Sequence, residues 1–358
     1  MQYVAIDLHK RYSVMSALNE QGRRVAEARI DGNSAAGFAQ FIHGLGEPSK
    51  VVIEATWNWG RIHDLLEKIE GVEEVVLAHP YKTRIIAEAQ VKTDKLDARA
   101  LARLLRADLI ARAHVPSVAT RRRKDVLRQR LFWVRVQTMV RNRVHQLLDR
   151  QEKLDLPQCS DLFGVRGLAA MKQMQLPEPD ATQLRQDLDL LGELRTRIKE
   201  LETMIAADNA EDEATRLLST MPGLGKVLAA VVACEIDGVE RFAAPKKLLA
   251  YAGLVPTTHA SGGKSYNGPL LPQCNKWLRW AFVEAAWVAI GCSNYFGGIY
   301  RHHRARGKGG NTAIVIVARR MAEIAWQMLH ARRPYRDQPP TQDTLPDRSA
   351  NALMEVAH

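Results

Sequence analysis

Apolar and polar positions alternate on two periods through the first 114 residues. Short apolar stretches at residues 3–6, 13–18 and 24–30, separated by polar turns that include Gln21-Gly22, predict three strands. A helical stretch over 35–44 leads to a buried strand at 51–53, closed by Glu54. A helix over 62–69, a strand at 75–77 and a long helix over 94–109 follow. Three early strands followed by alternating strands and helices fit a mixed sheet covered by helices, an α/β domain over residues 1–114. Pro116 interrupts the pattern. A long helix over 120–154 then carries Trp133, Val136, Val140, Val144 and Leu147 on one face. Beyond Pro157, Pro177 and Pro179, residues Leu184, Leu188, Leu191, Leu194, Ile198, Leu201 and Ile205 recur at three- and four-residue steps, as in a coiled-coil seam. The two helices are expected to pair within the chain as a connector over 115–210, with self-association through the same element as the alternative. Residues 211–333 read as a compact, mostly helical all-α domain with Gly-rich turns, and 334–358 as a flexible tail.

Composition narrows the choice of function. The chain has 358 residues, 46% of them hydrophobic and 25% charged, enough apolar content for two packed domains and a connector. Lys and Arg number 51 against 40 Asp and Glu, a net charge of +11. A polyanionic partner would exploit this excess, because each neutralised phosphate releases counterions. The excess is concentrated between Arg121 and Arg150, where ten Lys or Arg stand against two Asp. Arg121, Arg122, Arg123, Lys124, Arg128 and Arg130 are therefore candidate contacts to nucleic-acid phosphates, with a solvated helix face as the plain alternative. The longest apolar run, residues 227–234, is too short to span a membrane. The acidic residue at position 7 is at odds with a signal peptide. Cys159, Cys234, Cys274 and Cys292 lie far apart, in neither a disulfide framework nor a zinc spacing. A cytoplasmic protein without a membrane partner is expected.

Four carboxylates stand out. Asp7 and Glu54 close apolar strands, from whose ends a side chain can project into a cleft, while Asp94 and Asp97 are three residues apart on one helix face. Carboxylates gathered this way suit hard divalent cations such as Mg²⁺, with Mn²⁺ as the alternative. Two such ions ~4 Å apart could polarise a scissile phosphate. Taken singly, each acid is more often a turn former or helix cap than a ligand, and Asp94 after Thr93 could simply cap its helix. Their order along the chain resembles the D…E…D-x-x-D progression of ribonuclease H-like (RuvC-like) junction resolvases.

A second cluster is Ala260-Ser261-Gly262-Gly263-Lys264-Ser265, with Lys276 and Arg279 downstream. The glycines let backbone N–H groups approach an anion, Lys264 and Arg279 could neutralise a phosphate, and Ser261 could attack phosphorus. An ordinary surface turn is the competing reading. Gly223 and Gly225, just before Lys226, open an apolar helix and could cradle a backbone phosphate. No strand of adequate length precedes them, so they are not a dinucleotide fingerprint.

Together these residues resemble the DEDD-type transposases of bacterial insertion sequences, the bridge-RNA-guided recombinases. The likeness rests on D-L-H-K at 7–10, I-E-A-T at 53–56 and K-T-D-K-L-D-A-R-A-L-A at 92–102. It continues with M-P-G-L-G at 221–225, L-L-A-Y-A-G-L-V-P at 248–256, S-G-G-K at 261–264 and L-R at 278–279. The resemblance implies a RuvC-like domain, a coiled-coil connector and a C-terminal transposase domain. It implies that Asp7, Glu54, Asp94 and Asp97 bind Mg²⁺ and that Ser261 forms a phosphoserine link to DNA. It further implies double-stranded target and donor DNA, a structured noncoding guide RNA, and a tetramer whose composite site joins one protomer's carboxylates to another's serine. Two segments depart from common family forms. Trp57-Asn58-Trp59-Gly60 follows I-E-A-T where Gly-x-Tyr is frequent, and Pro272-Gln273-Cys274-Asn275 replaces a Lys-x-Gly-Asn, so that the lysine's phosphate contact is either absent or supplied by Lys276. Either a metal-lowered pKa or His259 could deprotonate Ser261, the former being preferred. The main rival is a junction nuclease that activates water with the same carboxylates. An RNA-binding scaffold and a metabolic enzyme are weaker alternatives, the latter lacking any cofactor motif.

Overall fold

The computed structural model describes residues 1–56, 58–86, 94–151, 161–261 and 264–336, with backbone alone for 84–86, 94–96, 258–261 and 264–267. Two compact units result, Met1–Pro116 and the chain from Ser117 onward.

The first unit runs β1 (Gln2–Leu8), β2 (Tyr12–Leu18), β3 (Arg24–Asp31), α1 (Ala35–His43), β4 (Ser49–Glu54), α2 (Trp59–Leu66), β5 (Val72–Ala78), α3 (Pro80–Ile86) and α4 (Asp94–Arg106). The strands form one sheet in the order β3-β2-β1-β4-β5. β1, β2 and β3 pair antiparallel, while β4 joins β1, and β5 joins β4, in parallel. This mixed sheet is compatible with a ribonuclease H-like fold. Both faces of its centre are buried, which is why β1 and β4 read as continuous apolar runs rather than as alternating ones. Val4, Ile6, Val51 and Ile53 pack with Phe38 and Ile42 of α1 and Ile62 and Leu66 of α2. Ala5, Val52, Val76 and Ala78 pack on the other face with Leu101, Ala102 and Leu105 of α4. Arg99 of α4 holds Glu27 of β3 through Nε and a terminal guanidinium nitrogen, each 2.7 Å away, which fixes the rotation of α4 on the sheet. The seven-residue α3, absent from the sequence reading, is too short to display a helical period, although its opening Pro80 is a favoured first residue.

The second unit runs α5 (Val118–Asp149), α6 (Val165–Gln173), α7 (Asp180–Glu211), α8 (Glu213–Leu218), α9 (Lys226–Ile236), a 3₁₀ turn at Val239–Arg241, α10 (Pro245–Tyr251), β6 (Pro256–Ser261), β7 (Lys264–Leu270), α11 (Lys276–Cys292), α12 (Asn294–Ala305) and α13 (Gly310–Ala331). α5 and α7 form an antiparallel hairpin. Arg130–Glu202, Arg143–Asp187 and Arg150–Asp180 pair in descending order along it. Val140, Val144, Leu147 and Leu148 meet Leu184, Leu188, Leu191 and Leu194 in its outer half. Nearer the base, Leu127, Leu131 and Ile205 join the core built by α9, α11 and α13. α9, buried from Ala229 to Ile236, lies at the centre of that core, and Gly223 ahead of it adopts φ +86° against α11, where a Cβ would stand 2.1 Å from the Ala285 carbonyl oxygen. This close approach explains Gly223 without any ligand.

The structure differs from the sequence expectation in two further places. The segment around Ser261 is a β-hairpin within the otherwise helical domain. The expected tail begins packed, since Tyr335 stacks on Phe296 with ring centroids 5.9 Å apart and its N–H donates to Thr220 Oγ1 at 2.8 Å. The rest of that tail, 337–358, lies outside the described residues. Among the described residues no helix is long and apolar enough to cross a membrane.

Candidate active site

The acidic cluster follows from strand register. β1 and β4 run parallel with Ile6 opposite Ile53, and Asp7 and Glu54 come next on their strands. Strand side chains alternate between faces, so Asp7 shares the face of Ala5 and Glu54 that of Val52, the face that α4 covers. Neighbouring strands are ~4.8 Å apart, so the two residues leave adjacent strands at about the same level and on the same face. α4 buries Ala98, Leu101, Ala102 and Leu105. Positions 94 and 97 continue that stripe by one turn toward the N-terminus. Asp94 opens the helix and its side chain lies outside the described ones, whereas the exposed Asp97 stands in its first turn. A donor set made only of carboxylate oxygens fits a hard divalent ion. His9, which the sequence reading did not single out, places Nε2 3.0 Å from Asp7 Oδ2. Its ring stacks on Tyr12 at 4.6 Å, and its carbonyl accepts from Asn33 Nδ2 at 2.7 Å. The two-residue step from Asp7 along a strand end was the available signal for it.

Ser261 is the last residue of β6, in register with Lys264 of β7. Gly262 and Gly263 lie outside the described residues, as do the side chains of His259, Ser261 and Lys264. The base of this hairpin is held firmly. Arg279 of α11 donates through Nε to the Ala252 carbonyl at 3.4 Å and through a terminal nitrogen to the Leu271 carbonyl, bracing the chain on both sides of the hairpin. Asn275 caps α11 by accepting from Leu278 N at 3.0 Å, and its own N–H donates to the Tyr251 carbonyl at 2.8 Å. Its Nδ2 donates to the Tyr251 hydroxyl at 3.1 Å and to Glu235 Oε2 at 2.9 Å. The buried Glu235 also takes Lys124 Nζ at 3.1 Å and Arg128 at 3.2 Å. The flanks of the serine hairpin are thereby tied to the basic helix α5.

Comparison with known proteins places both clusters inside segments that resemble transposases. A DEDD transposase profile of the IS110 type matches residues 4–151, and the transposase profile of the IS116/IS110/IS902 family matches residues 215–301. The first contains Asp7, Glu54, Asp94 and Asp97, and the second contains Ser261. Both matches are to one family, the IS110/IS116 transposases. The chain is 30% identical over 179 residues to an uncharacterized protein of insertion element IS116 from Streptomyces clavuligerus. It is 27% identical over 175 residues to a probable family 20 transposase from Pseudomonas aeruginosa, and 27% identical over 183 residues to the transposase of insertion sequence element IS1328 from Yersinia enterocolitica. These alignments take in 49%, 47% and 46% of this chain and 45%, 50% and 53% of the relatives, so the chain spans about half the length of the curated relatives it matches.

In this chain the basic residues of α5 are largely engaged inside the fold. Lys124 has a side chain only 9% exposed and is ion-paired with Glu235, which makes it a buried partner rather than a surface cation. Arg123 pairs with Asp212 at 3.3 Å, Arg128 with Glu235, and Arg130 with Glu202 at 2.6 Å. Hydrogen bonds from Thr215 and Arg123 outweigh the burial of Asp212, and its carboxyl is held below the usual range. Arg121 is half-buried, while Arg122, Lys226 and Lys276 are exposed. Arg279 faces the hairpin base. Gly225, the N-cap residue of α9, opens on a groove lined by Arg130 and Lys226 but also by Glu202 and Glu284. A basic and aromatic patch that the sequence did not reveal lies at Trp277, where Arg128 and Arg135 place their guanidinium carbons 5.6 and 5.4 Å from the ring centroid.

Proposed function

We propose that this chain is the DNA recombinase of an insertion sequence, cutting and rejoining double-stranded target and donor DNA through a phosphoserine intermediate. The observation that carries the reading is that Asp7 and Glu54 each follow the Ile6–Ile53 pair of adjacent parallel strands, on the sheet face covered by the helix that bears Asp94 and Asp97. In this reading Asp7, Glu54, Asp94 and Asp97 hold Mg²⁺, which when bound polarises the scissile phosphate and stabilises the charge that develops on it. Ser261 Oγ attacks phosphorus, forming the serine–phosphate bond as the bond to a deoxyribose oxygen breaks. The serine proton leaves to solvent or base, and the departing sugar oxygen ends as a hydroxyl. The phosphodiester energy is retained in the phosphoserine, so the reverse attack by a new strand's hydroxyl rejoins DNA without ATP. His9 orients Asp7. The braced hairpin base limits the positions Ser261 can take, which lowers the entropic cost of attack.

The rest of the reading rests on family likeness. Residues 1–114 act as the RuvC-like domain, 115–210 as the connector and 211–333 as the transposase domain. A structured guide RNA selects the DNA by base pairing while the protein reads backbone and shape, and a tetramer assembles composite sites. Arg122, Lys226, Lys276 and the Trp277 patch are the contacts to nucleic acid favoured by exposure, with Lys264 carried over by likeness.

An SDS-quenched reaction on cognate DNA with its RNA tests the chemistry. A nucleotide adduct on Ser261, found by peptide mapping and missing from Ser261→Ala and Asp7→Asn, is expected. DNA cut without an adduct, and still cut by Ser261→Ala, would replace the reading by a water-activating nuclease.

A further inference from the structure

We propose that His63, Asp64 and Glu67 of α2 and its C-cap form a second metal site, taking one divalent transition-metal ion such as zinc or cobalt. These three residues belong to neither cluster described above, and the inference does not depend on the recombinase reading.

The three side chains each offer one ligand atom, and these atoms all lie within 4.8 Å of one another. His63 Nδ1 is 3.5 Å from Glu67 Oε2 and 4.0 Å from Asp64 Oδ1. Metal–ligand bonds of ~2.1 Å at a tetrahedral angle set neighbouring donors ~3.4 Å apart. The glutamate is already at that spacing, and a small rotation of the half-buried aspartate closes the rest. The imidazole is committed in advance. His63 is 3% exposed, its ring meets Trp59 edge-on at 6.3 Å, and its buried Nδ1 makes no hydrogen bond while aimed at the two carboxylates. A nitrogen held this way loses little freedom on binding an ion and gains the partner it lacks.

The donor set selects the ion. One imidazole nitrogen with two carboxylates suits zinc, cobalt or nickel, whereas Mg²⁺ prefers oxygen donors alone in an octahedron. Remaining coordination positions go to water. Asp64 also lines a groove with His43, Arg61 and Lys68, which gives the ion a route from solvent. α2 ends at Leu66 and Glu67 is its C-cap. A bound ion would join the last turn to the cap and fix the end of the helix that links Glu54's strand to β5, a structural role.

The test is a Co²⁺ titration of the full chain carrying Asp7→Asn and Glu54→Gln, which silence the oxygen-only cluster. A visible cobalt absorption band saturating at one ion per chain, and bleached by an equivalent of Zn²⁺, is expected. Glu67→Gln and Asp64→Asn, both at positions open enough to preserve the fold, should each weaken Co²⁺ binding at least about tenfold with unchanged circular dichroism. His63→Gln should abolish the band. Absence of a saturable band, or a band that Glu67→Gln and Asp64→Asn leave unchanged, would overturn the proposal.

Discussion

Asp7 and Glu54 each follow one member of the register pair Ile6–Ile53, so their carboxylates leave adjacent parallel strands at the same level and on the same face. A cation bound by two acids placed so would add its binding free energy to the folded state. Millimolar Mg²⁺ should therefore stabilise the chain by about 1–1.5 kcal/mol at ten times its dissociation constant, raising Tm by a few degrees. Asp7→Asn and Glu54→Gln should lose that rise. Scanning calorimetry with and without Mg²⁺ checks both expectations.

Glu235 neutralises two cations and also receives Asn275, so its removal leaves Lys124 buried without a counter-charge. Glu235→Ala should cost about 3–5 kcal/mol in denaturant unfolding. Combining Glu235→Leu with Lys124→Met should recover much of that loss, because no charge is then stranded. The double variant should still be slow in forming the serine adduct if Glu235 helps to hold the hairpin base through Asn275.

Asp212 gives a pH signature. It caps α8 by accepting from Thr215 N at 2.9 Å and pairs with Arg123, which depresses its folded pKa below the ordinary 3.8. A depressed acid contributes stability above its unfolded pKa and loses it as pH falls through the folded value. Asp212→Asn should thus lower stability at neutral pH by about 1 kcal/mol, discounted for its half-exposed setting. The difference from the parent should vanish on acidification below the carboxylate range. Tm measured against pH for the two proteins reads this directly.

Burial pushes the Cys234 thiol up to about 11, and its sulfur lies in the core beside Arg123. Thiolate is the reactive form, so Cys234 should resist alkylation at pH 8 in the folded state. The exposed Cys292 should react first. Mass spectrometry after brief iodoacetamide treatment, native against urea-unfolded, distinguishes the two.

The sheet was legible in the sequence because β1 and β4 are buried on both faces and read as continuous apolar runs that run into Asp7 and Glu54. The α5–α7 hairpin was legible for a similar reason, since its seam repeats over many turns. β6 and β7 were not, for their sequences PTTHAS and KSYNGPL are short, polar and broken by Pro and Gly. Charge misled in a different way. The excess counted along α5 is largely offset in space by Asp180, Asp187, Glu202, Asp212 and Glu235, which arrive from other helices. Arg279 likewise looks like a phosphate ligand in sequence and serves as a clamp in the fold. His9 needed the geometry of the strand end to be noticed.

The 32-residue α5 rises ~48 Å from end to end, and α7 matches it in length. Only its first few turns touch the core around α9, while the far half closes on its own apolar seam. Such an arm is a lever. A load on its tip is resisted at the fulcrum by Leu127, Leu131, Lys124 and Arg128, the last two of which grip Glu235 and, through Asn275, the roots of the serine hairpin. Whatever seizes the tip can thereby shift the mounting of the serine hairpin without coming near it.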